Sequence, residues 1–390
     1  MQPSGSPCLA LLRSPLRLFA GLAVVLLGAC GGDGGAVGSD LAAVATWELE
    51  LVHEIGSISD PDQMLTDPSI TNVILAPDGS LLIGQPMDAE IRVYDEAGTF
   101  SHTIGRRGEG PAEIGGFNNF GLTPDGDVWV HDAGNYRMTR YSFDGTYLDG
   151  EAWPGVVDQV GGGMLAWGFG GSLRQAPDGS ALATAMYALP GGAEAARDVG
   201  PHMVRRMHPG GVLGDTVLAI GKLLASDTPD GMTTRLRTDL LVAPSVDGTR
   251  VYWVERSTLG NPDPGVFRVG AVDAATGDTL FIRALPYDPI PTPMDELRAE
   301  YAGRGELWNP ETFPPVTRVI PTSDGPLWLA REQRQDPQLW WALDPATGAH
   351  VGLLTLPLGE MIRDQRGDVL VTSREDDLDV PYIRRYRVVR

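Results

Sequence analysis

A strand–turn–strand unit that returns about every 40–50 residues, the near absence of helical periodicity after Leu41, and a final unit one strand short together predict an all-β chain folded as a six-bladed β-propeller. The first unit reads Thr71–Leu75, the turn Pro77-Asp78-Gly79, then Leu81–Ile83, Glu90–Tyr94, Ala97-Gly98 and Phe100–Ile104. Asp-Gly pairs supply the backbone freedom that tight hairpin turns demand. The second unit repeats the pattern with Thr123-Pro124-Asp125-Gly126, Asp127–Val130, Met138–Ser142 and Asp144-Gly145; Asp78 to Asp125 and Tyr94 to Tyr141 share one offset of 47 residues. Ala176-Pro177-Asp178-Gly179 opens a third. Asp247-Gly248 before Val251–Val254, Asp324-Gly325 before Leu327–Leu329, and Arg366-Gly367 before Asp368–Val371 mark three more. Units four and five also share the turns Asp273–Gly277 and Asp344–Gly348.

The last unit supplies three strands and ends in Tyr382–Val389. The segment Trp47–Ile55 has strand character but no unit of its own, so it is expected to complete the last blade from outside. A β-sandwich or two separate β domains is the alternative. Ala152–Phe169 reads as either a long loop or an inner strand. Leu189–Val199 and Pro286–Pro315 are insertions, and Met294–Tyr301 has the composition of a short helix.

Ahead of the repeats, Arg13 and Arg17 precede an apolar run, Leu18 to Leu27, too short to span a bilayer. The run ends in Leu27-Gly28-Ala29-Cys30, which resembles a bacterial lipoprotein signal with Cys30 as the lipidated first residue. The expected organisation is a signal over 1–29, a lipidated flexible tether over 30–46, and the propeller over 47–390. Gly31 stands where an aspartate would favour inner-membrane retention, so an outer-membrane lipoprotein facing the periplasm is expected, with cell-surface exposure as the variant. Removal of 1–29 leaves 28 basic residues against 51 acidic ones. That balance argues against nucleic acid and against docking on anionic lipid. Cys8 would leave with the signal and Cys30 would be acylated, so packing and not disulfides must hold the fold.

Two adjacent motifs are the most specific. Ile104-Gly105-Arg106-Arg107-Gly108-Glu109-Gly110-Pro111-Ala112-Glu113-Ile114 resembles the GxxGxGPxEF linker of bacterial six-bladed propellers related to the NHL-repeat and TolB-like propellers, with Ile114 in place of phenylalanine. Val130–Arg137 resembles the NHL phrase V-x-D-x-x-N-x-R through Asp132, Asn135 and Arg137. The resemblance implies the fold. It leaves activity open, because such propellers include binding modules and calcium-dependent lactone or ester hydrolases.

Residue chemistry gives a short set of candidates. Arg106, Arg107 and Glu109 lie in a glycine-rich connection where arginine forks can grip an anion or pair with acids. Asp132, Asn135 and Arg137 suit an Asx turn with a cross-strand ion pair, or a ligand. His131 is the candidate general base, without an evident partner. Glu375, Asp376, Asp377 and Asp379 crowd four carboxylates that calcium would accept, or that cap a solvated hairpin. Trp129, Trp253 and Trp328 recur beside Asp-Gly turns and are expected to fill spaces between blades. Trp340 and Trp341 should point to opposite faces of one strand. His202 and His208 have weak metal-ligand spacing, and no Gly-x-Ser-x-Gly elbow or phosphate loop stands where it would carry chemistry. The expected function is a membrane-anchored module that binds a protein or small ligand. The alternatives are a calcium-dependent hydrolase and a polysaccharide binder.

Overall fold

The computed structural model describes residues 44–66, 72–153, 158–160, 163–166, 173–188, 201–222, 240–255, 265–293, 295, 296, 299, 312–331 and 337–390. The expected signal over 1–29, Cys30 and most of the expected tether over 30–46 lie outside these residues. The ring closes as the sequence anticipates. Strand β1 (Glu48–Ile55) is taken up by a blade at the far end of the chain. Blade one is β2 (Val73–Leu75), β3 (Leu81–Gln85), β4 (Glu90–Tyr94) and β5 (Phe100–Ile104). Blade two is β6 (Phe117–Leu122), β7 (Val128–Asp132), β8 (Arg137–Tyr141) and β9 (Tyr147–Ala152). Blade three carries two extra strands, β10 (Asp158–Val160) and β11 (Gly163–Ala166), beside β12 (Arg174–Gln175), β13 (Ala181–Ala188), β14 (Pro201–His208) and β15 (Val212–Lys222). Blade four is β16 (Leu240–Pro244), β17 (Arg250–Glu255), β18 (Val266–Asp273) and β19 (Thr279–Pro286). Blade five is β20 (Val316–Ile320), β21 (Leu327–Arg331), β22 (Gln338–Leu343) and β23 (His350–Leu356). Blade six is β24 (Met361–Arg366), β25 (Val369–Glu375), β26 (Pro381–Val389) and, outermost, β1. Every pairing within a blade is antiparallel.

The closing strand runs in register from Glu48 opposite Val389 to Ile55 opposite Ile383, with one irregularity between Leu51 and His53. Arg384 clasps it, meeting Glu54 at 2.5 Å and the buried Glu360 at 3.2 Å. Ile55 then packs with Val371, Ile383, Leu81 and Tyr94, so the first strand helps bury the seam between blades six and one.

Burial on both faces explains why these strands read as apolar runs and not as clean alternation. Along β22, Trp340 and Ala342 join the layer between blades five and six, while Trp341 and Leu343 join that between blades four and five. Both indoles are sealed, at 0% and 2% exposure, so neither of the pair meets solvent. Trp328 fills the seam between blades five and six and donates to Gln365 Oε1 at 2.9 Å. Trp129, which is buried, and Trp253, which is half-buried, each make a further contact within the sheet. Each lies over a glycine of the adjacent strand in its own blade, where a Cβ on Gly121 or Gly270 would come within 2.5 or 2.3 Å of the ring. A glycine leaves a trough that an aromatic neighbour covers.

The Asp-Gly hairpin ends of blades one to three share one form. Gly79 and Gly126 take φ of +88° and +90°, values open to glycine, and the preceding Asp78 caps its turn through the Ser80 amide. The region 152–169 resolves the two options of the sequence. Its described part places β11 beside the far end of β13, in line with the two-residue β12, and adds β10 next to β11. Asp295, Glu296 and Ala299 are helical, as the composition of Met294–Tyr301 implies.

Because each blade is an antiparallel meander, connections fall at two ends. Turns between first and second strands and between third and fourth strands share one end. The second-to-third and blade-to-blade connections share the other, called here the loop end.

Candidate functional site

Most candidates from the sequence gather at the loop end. Asp132 closes β7 with no exposed surface and anchors the linker between blades one and two. Its Oδ1 accepts from the amides of Gly115, Gly116 and Asn135 at 3.0, 3.2 and 3.2 Å, and its Oδ2 from Asn135 Nδ2 at 2.8 Å and Arg137 Nε at 3.2 Å. Asn135 reaches on to the Gly108 carbonyl at 2.9 Å. Arg137 donates to the carbonyls of Gly110, at 2.6 Å, and Glu113. These three side chains therefore bind one another and the linker backbone. Arg106, Arg107 and Glu109 are exposed on the same linker. Arg106 pairs with Glu113 at 3.0 Å, and Arg107 donates to the Met87 carbonyl. Hydrogen bonding from the Gly110 amide holds the Glu113 carboxyl below its ordinary pKa.

His131 is buried next to Asp132 with its Nδ1 unpartnered. Burial lowers its pKa, against the pull of Asp132. Glu375, Asp377 and Asp379 are exposed at the tip between β25 and β26. Asp376 caps that turn by accepting from the amides of Leu378 and Val380 at 2.9 and 3.0 Å. Among the described residues no three histidine, cysteine or acidic side chains converge as a metal site.

The propeller axis holds a cluster that the sequence reading passed over. A cavity of ≈ 30 Å³ is lined by residues of all six blades: Ile74, Gly121, Arg174, Val246 and Pro321 from blades one to five, and Arg363 with Asp364 from blade six. Ile74, Gly121 and Arg174 each stand two residues before an x-Pro-Asp-Gly turn, so they are equivalent positions in three blades. An arginine replacing an isoleucine and a glycine at the innermost strand was the available signal.

The carboxylate on the axis is consumed by the ring. Asp364 accepts from the amides of Leu75, Ser323 and Gln365 at 2.8, 2.7 and 2.8 Å and from Ser323 Oγ at 2.7 Å. It thereby fastens blade six to blades five and one. Asn119 acts alike in blade two, accepting from the Phe120 amide and donating to the Leu173 carbonyl at 2.9 Å. Burial pushes the Asp364 pKa up, against those four bonds. Arg174 donates to Asn119 Oδ1 and the Leu173 carbonyl, both at 3.1 Å, and its Nε finds no acceptor. Arg363 donates to Ser373 Oγ at 2.6 Å. Burial lowers both guanidinium pKa values, that of Arg363 to about 10.

One further property separates the two ends. The six most exposed large apolar side chains among the described residues are Leu378, Ile58, Met87, Tyr136, Val212 and Leu358, at 56–77%. All but Val212 lie in second-to-third or blade-to-blade connections, and so at the loop end.

No protein-family model and no curated protein sequence matches the chain. Among solved structures, it is similar to a Bacteroides fragilis protein described as exported, at 13% identity over 89% of this chain and 97% of that one, with a TM-score of 0.49. A DUF4221 family member from Bacteroides vulgatus is similar at 10% identity over 88% and 98%, with a TM-score of 0.49. A calcium-binding regucalcin from Agrobacterium tumefaciens is similar at 14% identity over 87% and 94%, with a TM-score of 0.39. At these levels the likenesses assign the chain neither a family nor a function.

Proposed function

We propose that the protein is an exported, lipid-anchored binding propeller whose loop end docks a partner protein. The observation that carries the reading is the concentration of exposed apolar side chains at that end. Scattered surface hydrophobes are ordinary, but a set gathered at one end of a rigid scaffold is what a docking face presents. The anchor rests on Leu27–Cys30 and the acidic body on 51 carboxylates, which keep the tethered domain off anionic headgroups. Outer-membrane placement follows from Gly31.

The calcium-dependent hydrolase is the weaker reading. The described axial residues offer a single carboxylate, Asp364, already engaged by four donors and accompanied by two guanidinium groups that would repel a cation. Polysaccharide binding has one exposed aromatic, Tyr136, to support it among the described residues.

Glutamate substitutions test the docking face in cells that make the anchored protein. Cross-linking on intact cells should give a discrete adduct that disappears in Met87→Glu, Tyr136→Glu and Leu378→Glu and persists in Val212→Glu. An adduct equally lost in all four, or in none, would defeat the assignment to the loop end. A Cys30→Ser protein that stays membrane-bound would defeat the anchor.

A further inference from the structure

We infer that the axial cavity is a binding site for a small oxyanion, a phosphate-sized ion or a free carboxylate, gripped by Arg174 of blade three and Arg363 of blade six. The inference does not depend on which partner the loop end docks.

A guanidinium taken out of water is costly unless an acid or a full set of acceptors replaces its hydration. Three arginines elsewhere meet that demand. Arg137 has Asp132 at 3.2 Å, and Arg384 has Glu54 and Glu360. Arg331, whose pKa burial lowers to about 10, is covered by the faces of Trp341 at 4.6 Å and Tyr287 at 5.5 Å. The axial pair lacks both solutions. Among the described residues neither Arg174 nor Arg363 has a carboxylate at ion-pairing distance or an aromatic face. Arg174 has two neutral acceptors and an orphaned Nε, and Arg363 has one hydroxyl.

Charge at the cavity is positive on balance. Arg318, on the neighbouring β20, adds a third cation to the field at Arg363, opposed by Glu375. Asp364 is the one acid on the wall, and its oxygens already face four donors. With Asp364 ionised the lining carries a net positive charge. With Asp364 protonated it carries more. Guanidinium forks match carboxylate and tetrahedral oxyanions in shape as well as charge. The ≈ 30 Å³ open to the centre of a water-sized body admits one small ion and no sugar or peptide. The wall that holds the ion is built by all six blades, so binding should brace the whole ring.

Equilibrium dialysis of the full purified protein, exchanged into a buffer free of oxyanions, is the direct test. Radiolabelled phosphate and acetate are the probes, each at constant ionic strength set with sodium chloride. One saturable site per chain is expected for at least one probe, with a matching rise in thermal midpoint. A winner among the two probes says which source supplies the anion. Arg174→Gln and Arg363→Gln should each weaken that binding at least tenfold while Arg106→Gln, exposed on the linker, leaves it unchanged. Absence of saturable binding of both probes by the wild-type protein up to 10 mM overturns the inference, whether or not the variants fold. So does binding that Arg106→Gln reduces as much as Arg174→Gln.

Discussion

The knot around Asp132 and the cluster around Asp364 both bury an aspartate beside arginine, and they use it in opposite ways. At the linker the carboxylate accepts five bonds, one of them from Arg137, so acid and base neutralise each other. On the axis the carboxylate is taken by amides and a hydroxyl of blades one, five and six, and the arginines are left over. Buried charge that is internally paired holds structure. Buried charge left in surplus is what a ligand can complete.

The largest expected effect breaks the paired side. Asp132→Ala removes all five bonds and leaves the Arg137 guanidinium, whose side chain is 17% exposed, with two carbonyls and no acid. Loss of one partner of a buried ion pair costs about 3–5 kcal/mol. Urea unfolding should show that loss in the midpoint. A loss under about 1 kcal/mol, the range of an exposed pair, would mean the knot is not what fixes the linker.

The second expectation has the opposite sign. Arg174→Met keeps much of the side-chain volume and removes a charge that has no acid at ion-pairing distance. In an oxyanion-free buffer it should leave the urea midpoint unchanged or raise it, because the desolvation cost of the charge goes with the guanidinium. Arg137→Met, by contrast, should destabilise. If both variants lose stability equally, the two arginines are not differently satisfied and the comparison fails.

Legibility divides along the same line. The ring could be read from the chain because turn chemistry repeats: Asp78 and Asp125 lie 47 residues apart, and the strands they join fill equivalent places. The closing strand could be read because Trp47–Ile55 had no unit to belong to. The knot could be read because its residues sit within a few positions of one another. The axial site draws single residues from six blades, so no local pattern contains it. Arg174 falls in phase with Ile74 and Gly121 and could have been found by aligning the units on their turns. Arg363 could not, because the register slips between Ile362 and Asp364, and a one-residue slip turns the neighbouring side chains to the other face. The loop end was illegible for a different reason. Leu378, Met87 and Tyr136 are far apart in sequence and become neighbours in kind only once the meanders assign them to one end.

Acid sharpens the comparison through His131. Burial holds its folded pKa below the ordinary value, with Asp132 opposing. A depressed histidine leaves stability whole above the unfolded pKa of about 6.5 and withdraws it as pH falls through that value towards the folded one. His53 and His350, also lowered by burial, act in the same direction. The raised pKa of Asp364 acts in the other, because a buried acid that binds its proton more tightly when folded gains stability on acidification. His131→Gln should therefore flatten part of the fall in urea midpoint between about pH 7 and pH 5. A variant with the wild-type slope would show that His131 titrates as freely in the folded chain as in the unfolded one.

The smallest effect is expected thirty-one residues before Arg137, within the same structural neighbourhood. Arg106 also pairs with an acid, meeting Glu113 at 3.0 Å, but its side chain is 76% exposed. Water and salt screen such a pair, and holding two long side chains in one geometry offsets most of what remains. The Gly110 amide bond to Glu113 survives without the arginine, so the linker keeps its acceptor. Arg106→Ala should melt with the wild-type protein in any salt, while Arg137→Ala should not. Equal losses would mean that proximity to the linker, and not burial, decides which arginine matters. The division between satisfied and surplus charge would then have no basis on the axis either.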